Sequence, residues 1–149
     1  MTKQFRFLDW PVYKDAQELF KEILLFTRSL PKENEYNLRA QILRSSLSAV
    51  LNIAEGSGKH SDKEFGRFIE ISLGSLYETL ANADTMRECG IISEVQFTKL
   101  HDQIDRICRQ LGGLRKKIKS TVSRVSPYLS YDICYMLIKY KAIDARGLT

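Results

Sequence analysis

Between Phe97 and Ile118 the apolar residues Phe97, Leu100, Ile104, Ile107, Leu111, Leu114 and Ile118 are separated alternately by three and four positions. That period of 3.5 gathers all seven onto one seam of a helix, whereas a strand, whose side chains alternate every second residue, would scatter them over both faces. A seam of that length must be buried against other helices, so it sets the class of the fold as all-α. Ser93-Glu94-Val95-Gln96 stands just before it and reads as a capping box, which satisfies the N–H groups that a helix start leaves open.

The rest of the chain supplies partners for this seam. Helix 1 is expected from Pro11 to Ser29, with Asp9 as its cap, apolar positions at Val12, Ala16, Leu19, Phe20, Ile23, Phe26 and Leu30, and Pro31 as its stop. After the polar stretch from Lys32, Asn37 is expected to cap helix 2, which carries Leu38, Ile42, Ser46, Ala49, Ile53 and Ala54 on a face of small residues that lets a neighbouring backbone approach. Gly56-Ser57-Gly58 is expected to end it through a left-handed glycine. A second capping box, Ser61-Asp62-Lys63-Glu64, opens helix 3, with Phe65, Phe68, Ile69, Ser72, Leu76, Leu80, Ala83 and Met86 facing the core as far as Gly90. Four amphipathic segments with short connections are expected to pack as an antiparallel up-down-up-down four-helix bundle over residues 1–120. Residues 121–149 read as an extension in which a polar linker, Ser120 to Ser126, leads to a fifth helix with Pro127 in its first turn and rich in tyrosine (Tyr128, Tyr131, Tyr135, Tyr140), either capping the core or touching another subunit.

A chain of 149 residues buries enough surface for one core without staples. No secretory leader pattern follows Met1 and no apolar run approaches the length of a membrane span, so a soluble cytoplasmic protein with no membrane association is expected. Cys89, Cys108 and Cys134 are odd in number and far apart, which argues against a disulfide framework or a zinc site and for small buried residues.

Charge is the feature that points outward. The net charge is +5, and the stretch 99–124 holds eight cations (Lys99, Arg106, Arg109, Arg115, Lys116, Lys117, Lys119 and Arg124) against Asp102 and Asp105, a surplus of six. In the heptad frame Arg109 and Lys116 point directly away from the seam, with Arg106 and Lys119 beside them. Two readings stand: a strip that neutralises phosphates, or a solvated helix face favoured by the helix dipole. Lys59, beside the start of helix 3, adds a weak anion contact.

Other constellations lead away from catalysis. Glu70 and Glu78 with Glu55 suggest carboxylates in a bundle core, but a di-iron site needs Glu-x-x-His, and Ser57 and Thr98 stand where His60 and His101 would require glutamate. Asn52 and Glu55 are expected in a structural role, satisfying backbone groups near Gly74 and Ser75. Gly56-Ser57-Gly58-Lys59 lacks the strand and the earlier glycine of a phosphate-binding loop. The expectation is no enzyme, no metal and no cofactor.

The residues Pro31-Lys32-Glu33, Leu38, Gln41-Ile42, Arg44, Ser48, the run Asn52-Ile53-Ala54-Glu55-Gly56-Ser57-Gly58, Ser61, Lys63-Glu64-Phe65, Arg67-Phe68, Ile71, Gly74-Ser75-Leu76 and Glu78 carry a resemblance. In them the chain resembles the small four-helix-bundle proteins encoded within intervening sequences of bacterial 23S rRNA genes. Leu43 departs from that pattern where a second arginine is common, and Val50 where a proline is common. The resemblance implies an antiparallel bundle assembled as a homopentamer without known catalytic activity. A related branch is similar to the accessory proteins of diversity-generating retroelements, basic pentamers that associate with a reverse transcriptase and with nucleic acid. Together these give a leading expectation, a non-enzymatic oligomeric scaffold or chaperone for structured RNA or DNA, and an alternative, a protein-interaction module that binds a reverse transcriptase.

Overall fold

The computed structural model describes residues 5–30 and 36–122, and among these residues it is all-helical, without strands. A 3-10 turn, Arg6–Asp9, leads into α1 (Pro11–Ser29), followed by α2 (Tyr36–Ser57), α3 (Asp62–Glu88) and α4 (Glu94–Val122). The expected fifth helix and its tyrosines lie outside the described residues, as does Pro31.

The start of α1 differs from the expectation. Its cap is Trp10, in extended conformation and without a side-chain hydrogen bond, and the Trp10 carbonyl accepts from the amides of Tyr13 and Lys14. Pro11 explains this: it occupies the first helical position and holds the residue before it extended, so Asp9 falls one residue too early and sits in the 3-10 turn. Likewise Asn37 is the second residue of α2 and not its cap. The start of α2 is tied to the end of α1 by the Arg39 guanidinium, which donates to the Leu30 carbonyl at 2.8 Å.

The two capping boxes form. Ser61 Oγ accepts from the Glu64 amide, and at α4 the box is reciprocal: Gln96 N–H donates to Ser93 Oγ while Ser93 N–H donates to Gln96 Oε1 at 2.9 Å. At the other end of α3, Gly90 has φ +70°, with Ile91 N–H donating to the Met86 carbonyl and Gly90 N–H to that of Arg87. This is the Schellman arrangement, and it needs a left-handed residue there.

Gly56 does not serve that purpose at the end of α2. It is helical and buried, and a Cβ on it would lie 2.8 Å from Phe68 Cβ and 3.0 Å from the Phe65 ring. The glycine is there because α3 crosses on top of it. The chain leaves α2 through short bonds from Gly58 and Lys59 amides to the Glu55 and Gly56 carbonyls, with no left-handed glycine.

The core is formed by all four helices: Leu19 and Ile23 of α1, Ile42 and Ile53 of α2, Ile69, Leu76 and Met86 of α3, and Leu100, Ile104, Ile107 and Leu111 of α4 are essentially inaccessible. Those last four are the centre of the heptad seam; Phe97, Leu114 and Ile118 at its ends are half-buried against the same core. Cys89, expected inside, is exposed, because it follows the last residue of α3 where the chain turns away from the core. Cys108 is half-buried and Cys134 lies outside the described residues.

α2 and α3 form the most extensive helix pairing, and hydroxyls line it. Thr79 Oγ1 donates to Ser45 Oγ at 2.9 Å, Ser48 and Ser75 hydroxyls lie 2.9 Å apart, and Ser72 Oγ donates to the Ala49 carbonyl at 2.9 Å. The residue numbers rise on one helix as they fall on the other. Small side chains bring the backbones close, and each hydroxyl is satisfied where a larger apolar residue would not fit.

Candidate nucleic-acid interface

The heptad frame of α4 divides its cations into three sets. Lys99 and Arg106 lean towards α1. Lys99 Nζ lies 2.7 Å from Glu22 Oε1, and Arg106 Nη2 lies 3.2 Å from Asp15 Oδ1. The second oxygen of each carboxylate accepts from a glutamine one turn further along α4: Gln103 donates to Glu22 and Gln110 to Asp15, both at 2.7 Å. Arg115 lies on the other flank, against α3, with Nη2 2.6 Å from Glu70 Oε1.

The third set points outward. Arg109 is 73% exposed at its side chain and pairs along its own helix, with Asp105 at 2.7 Å; Lys116, one heptad on, is exposed. A pair within one exposed helix face is worth only a few tenths of a kcal/mol and does not prevent a phosphate from competing. Lys117, also exposed, turns towards the end of the bundle, where it shares a cleft with Lys59. The Lys119 side chain and Arg124 lie outside the described residues.

Among the described residues, Lys99, Arg106, Arg109, Arg115, Lys116 and Lys117 therefore do not form one continuous strip. Three are engaged by carboxylates of neighbouring helices and tie α4 into the bundle, which lowers the positive potential they present. The carboxylates Asp15 and Glu22 and the glutamines Gln103 and Gln110 were not singled out by sequence reasoning. Their signal was available: each pair is seven residues apart, the same interval as Lys99 to Arg106.

Asn52 donates from Nδ2 to the Ser48 carbonyl at 2.8 Å and to Ser48 Oγ at 3.1 Å, and so joins the α2–α3 hydroxyl line at Ser75. Glu55 turns to the outside, where it holds Lys59 Nζ at 3.1 Å. Gly74 is exposed, with open space around it. His101 is 3.2 Å from Asp102 beside it on α4. Among the described residues no three His, Cys, Asp or Glu side chains gather as a metal site, and no helix is long and apolar enough to cross a membrane.

With the helices and their charged faces in place, the chain matches the family model of the 23S rRNA-intervening sequence protein over residues 9–113. It belongs to that family. Among solved structures it is similar to a crystal structure from Bacteroides thetaiotaomicron VPI-5482, described as a protein with unknown function from the S23 ribosomal protein family. The TM-score is 0.66 at 24% identity, over 70% of this chain and 98% of that one, a likeness of fold. The curated proteins yield no match. In this member of the 23S rRNA-intervening sequence family, the matched stretch runs from Asp9, just before the α1 cap, through most of α4. It ends before Arg115, Lys116 and Lys117, so these three cations lie beyond the part shared with the family model.

Proposed function

We propose that the chain is a non-enzymatic, self-associating up-down-up-down bundle that binds structured RNA or DNA through the outer face of α4, as a scaffold or chaperone. The observation that carries this reading is the division of the α4 cations. Arg109 and Lys116 occupy successive outward heptad positions, away from the interhelical carboxylates that engage Lys99, Arg106 and Arg115. Outward positions one heptad apart are about 10 Å from each other along the helix, within reach of successive phosphates of one strand.

Self-association is supported by a different surface. Leu47 and Leu51 on α2 are 39% and 56% exposed, and Ile71 on α3 is 39% exposed. Large exposed aliphatic groups suit burial against another copy, and repetition of the outer face around an oligomer would multiply the phosphates it can neutralise. A pentamer is the assembly this reading favours.

The test is a gel-shift titration of the full chain with a structured RNA and a DNA duplex at several salt concentrations, comparing Arg109→Glu with Lys116→Glu against the parent. The expected result is loss of a salt-sensitive shift with the light-scattering mass unchanged at about five subunits. An unchanged shift in the double variant would refute the α4 face, and a concentration-independent monomer would refute self-association.

A further inference from the structure

At the end of the bundle where the 3-10 turn, the α2–α3 connection and the last turns of α4 converge, the structure has a cleft of about 420 Å3. Three separate segments contribute to it: Arg6 from the 3-10 turn, Lys59 and the imidazole of His60 from the connection, and Lys117 from α4. Among the described residues Asp62 is the one carboxylate of its lining. Its wall also carries two aromatic rings, Trp10 and Phe65, whose centroids are 5.8 Å apart. Trp10 and Lys117 also line an adjoining, more apolar cleft of about 330 Å3, so the indole stands between a charged space and an apolar one.

Lys59 is held in place rather than waving in solvent. Its ammonium lies 4.6 Å from the Phe68 ring centroid and 3.1 Å from Glu55, which keeps it in the wall of the cleft. The position of Phe68 is in turn set by its close approach to Gly56. Arg6 presents a planar fork of donors from the 3-10 turn, the geometry suited to two phosphate oxygens. A phosphate monoester carries between one and two negative charges at neutral pH, comparable to the positive excess of the lining. An aromatic face takes any nucleobase by stacking, without a hydrogen-bond code. The volume is within the range of small-ligand sites.

We propose that this cleft binds a nucleoside phosphate, with the base against Trp10 and Phe65 and the phosphate among Arg6, Lys59, His60 and Lys117. The same chemistry is offered by a free mononucleotide and by the phosphorylated end of a strand. The site is separate from the outer face of α4 and does not depend on it.

Trp10 is the only tryptophan of the chain, so its emission reports on the cleft directly. The full chain is titrated with adenosine monophosphate, adenosine, inorganic phosphate, and a short oligonucleotide with a 5′-phosphate or a 5′-hydroxyl. The expected result is a saturable change with the phosphorylated ligands and binding weaker by roughly tenfold or more when base or phosphate is missing. Tighter binding of the mononucleotide assigns the site to free nucleotide, and tighter binding of the phosphorylated oligonucleotide assigns it to strand ends; either supports the cleft. Arg6→Glu with Lys59→Gln should weaken binding by roughly tenfold or more. Arg6→Glu alone, which lies outside the α-helices, should weaken it in the same direction if the double variant loses helicity. The variant Arg109→Glu with Lys116→Glu should respond as the parent does, which separates this site from the outer face; loss of the response there would overturn the assignment. Equal binding of adenosine or of the 5′-hydroxyl strand, or no saturable change with either phosphorylated ligand, would also overturn it.

Discussion

Arg106 and Asp15, 91 positions apart in the chain, meet at 3.2 Å across the α1–α4 seam. Asp15 also accepts from Gln110, and one heptad away Glu22 receives Lys99 and Gln103 in the same way. The result is two equivalent rungs, each a carboxylate held by a cation and by a glutamine four residues further on. Because both rungs repeat at seven residues, a slip of α4 along α1 by one residue or one turn breaks both together. The apolar seam alone tolerates a slip of one turn better, since one aliphatic residue substitutes for another.

Asp15→Ala is therefore expected to lower stability by about 1 kcal/mol, since it removes two hydrogen bonds to a carboxylate, one of them from a cation, at a partly exposed site. Urea unfolding gives the value, and a double-mutant cycle with Arg106→Ala isolates the pair. A coupling indistinguishable from zero would mean that the rung is decorative and that the apolar seam sets the register unaided.

Gly56→Ala should be destabilising by about 1–3 kcal/mol, because the added Cβ meets Phe68 Cβ at 2.8 Å and neither helix can withdraw without opening the core. Gly113→Ala, on the exposed side of α4 with nothing within 4 Å, should stabilise by about 0.5–1 kcal/mol through helix propensity. Thermal melts of the two variants should move in opposite directions. A left-handed cap at Gly56 would predict strain of backbone origin there, and removing the Phe68 Cβ from α3 would then give no rescue; a Gly56→Ala defect that is smaller in a Phe68→Gly background, where the Cβ it meets is gone, is the outcome expected from close approach.

Ser72→Ala should cost about 1 kcal/mol, the net value of one buried hydrogen bond to the Ala49 carbonyl, whereas Ser72→Leu should cost more by forcing α2 and α3 apart. Equilibrium unfolding compares the two. A leucine tolerated as well as alanine would show that the seam has room to spare, against its fully buried serine and threonine.

These residues show what is legible in the chain before folding. The heptad seam of α4 is, because a period of 3.5 is itself a record of burial, and the two capping boxes are, because donor and acceptor lie three residues apart. The close approach at Gly56 is not: a glycine near a helix end serves equally as a left-handed cap or as a place where two backbones meet, and only Phe68 arriving from α3 decides between them. Asp9 misleads for a similar reason, since Pro11 had already assigned the cap to its immediate neighbour. The small face of α2 is visible as Ser46, Ala49 and Ala54, but the pairing of Ser45 with Thr79 depends on a register that no local pattern states. For the candidate interface, the outward direction of Arg109 and Lys116 follows from the heptad alone. The engagement of Lys99, Arg106 and Arg115 does not, because their partners Glu22, Asp15 and Glu70 belong to other helices.

That distinction yields a contrast between two sets of cations on one helix. Replacing Arg109 and Lys116 by glutamine should leave stability within about 0.5 kcal/mol, since both are exposed and point away from the neighbouring helices. The same pair should lower the slope of log affinity against log salt by about 0.9 for each phosphate of a DNA duplex that is no longer neutralised. Replacing Lys99 and Arg106 by glutamine should do the reverse: it removes a cation from each rung, so unfolding midpoints fall while the salt slope is little changed, because those charges are already matched by Glu22 and Asp15. The two double variants are compared by urea unfolding and by binding at about 50–300 mM salt, the range over which counterion release is resolved. If both reduce the salt slope equally, the carboxylates of α1 do not shield α4, and the whole helix, rather than its outward positions, is the surface that phosphates meet.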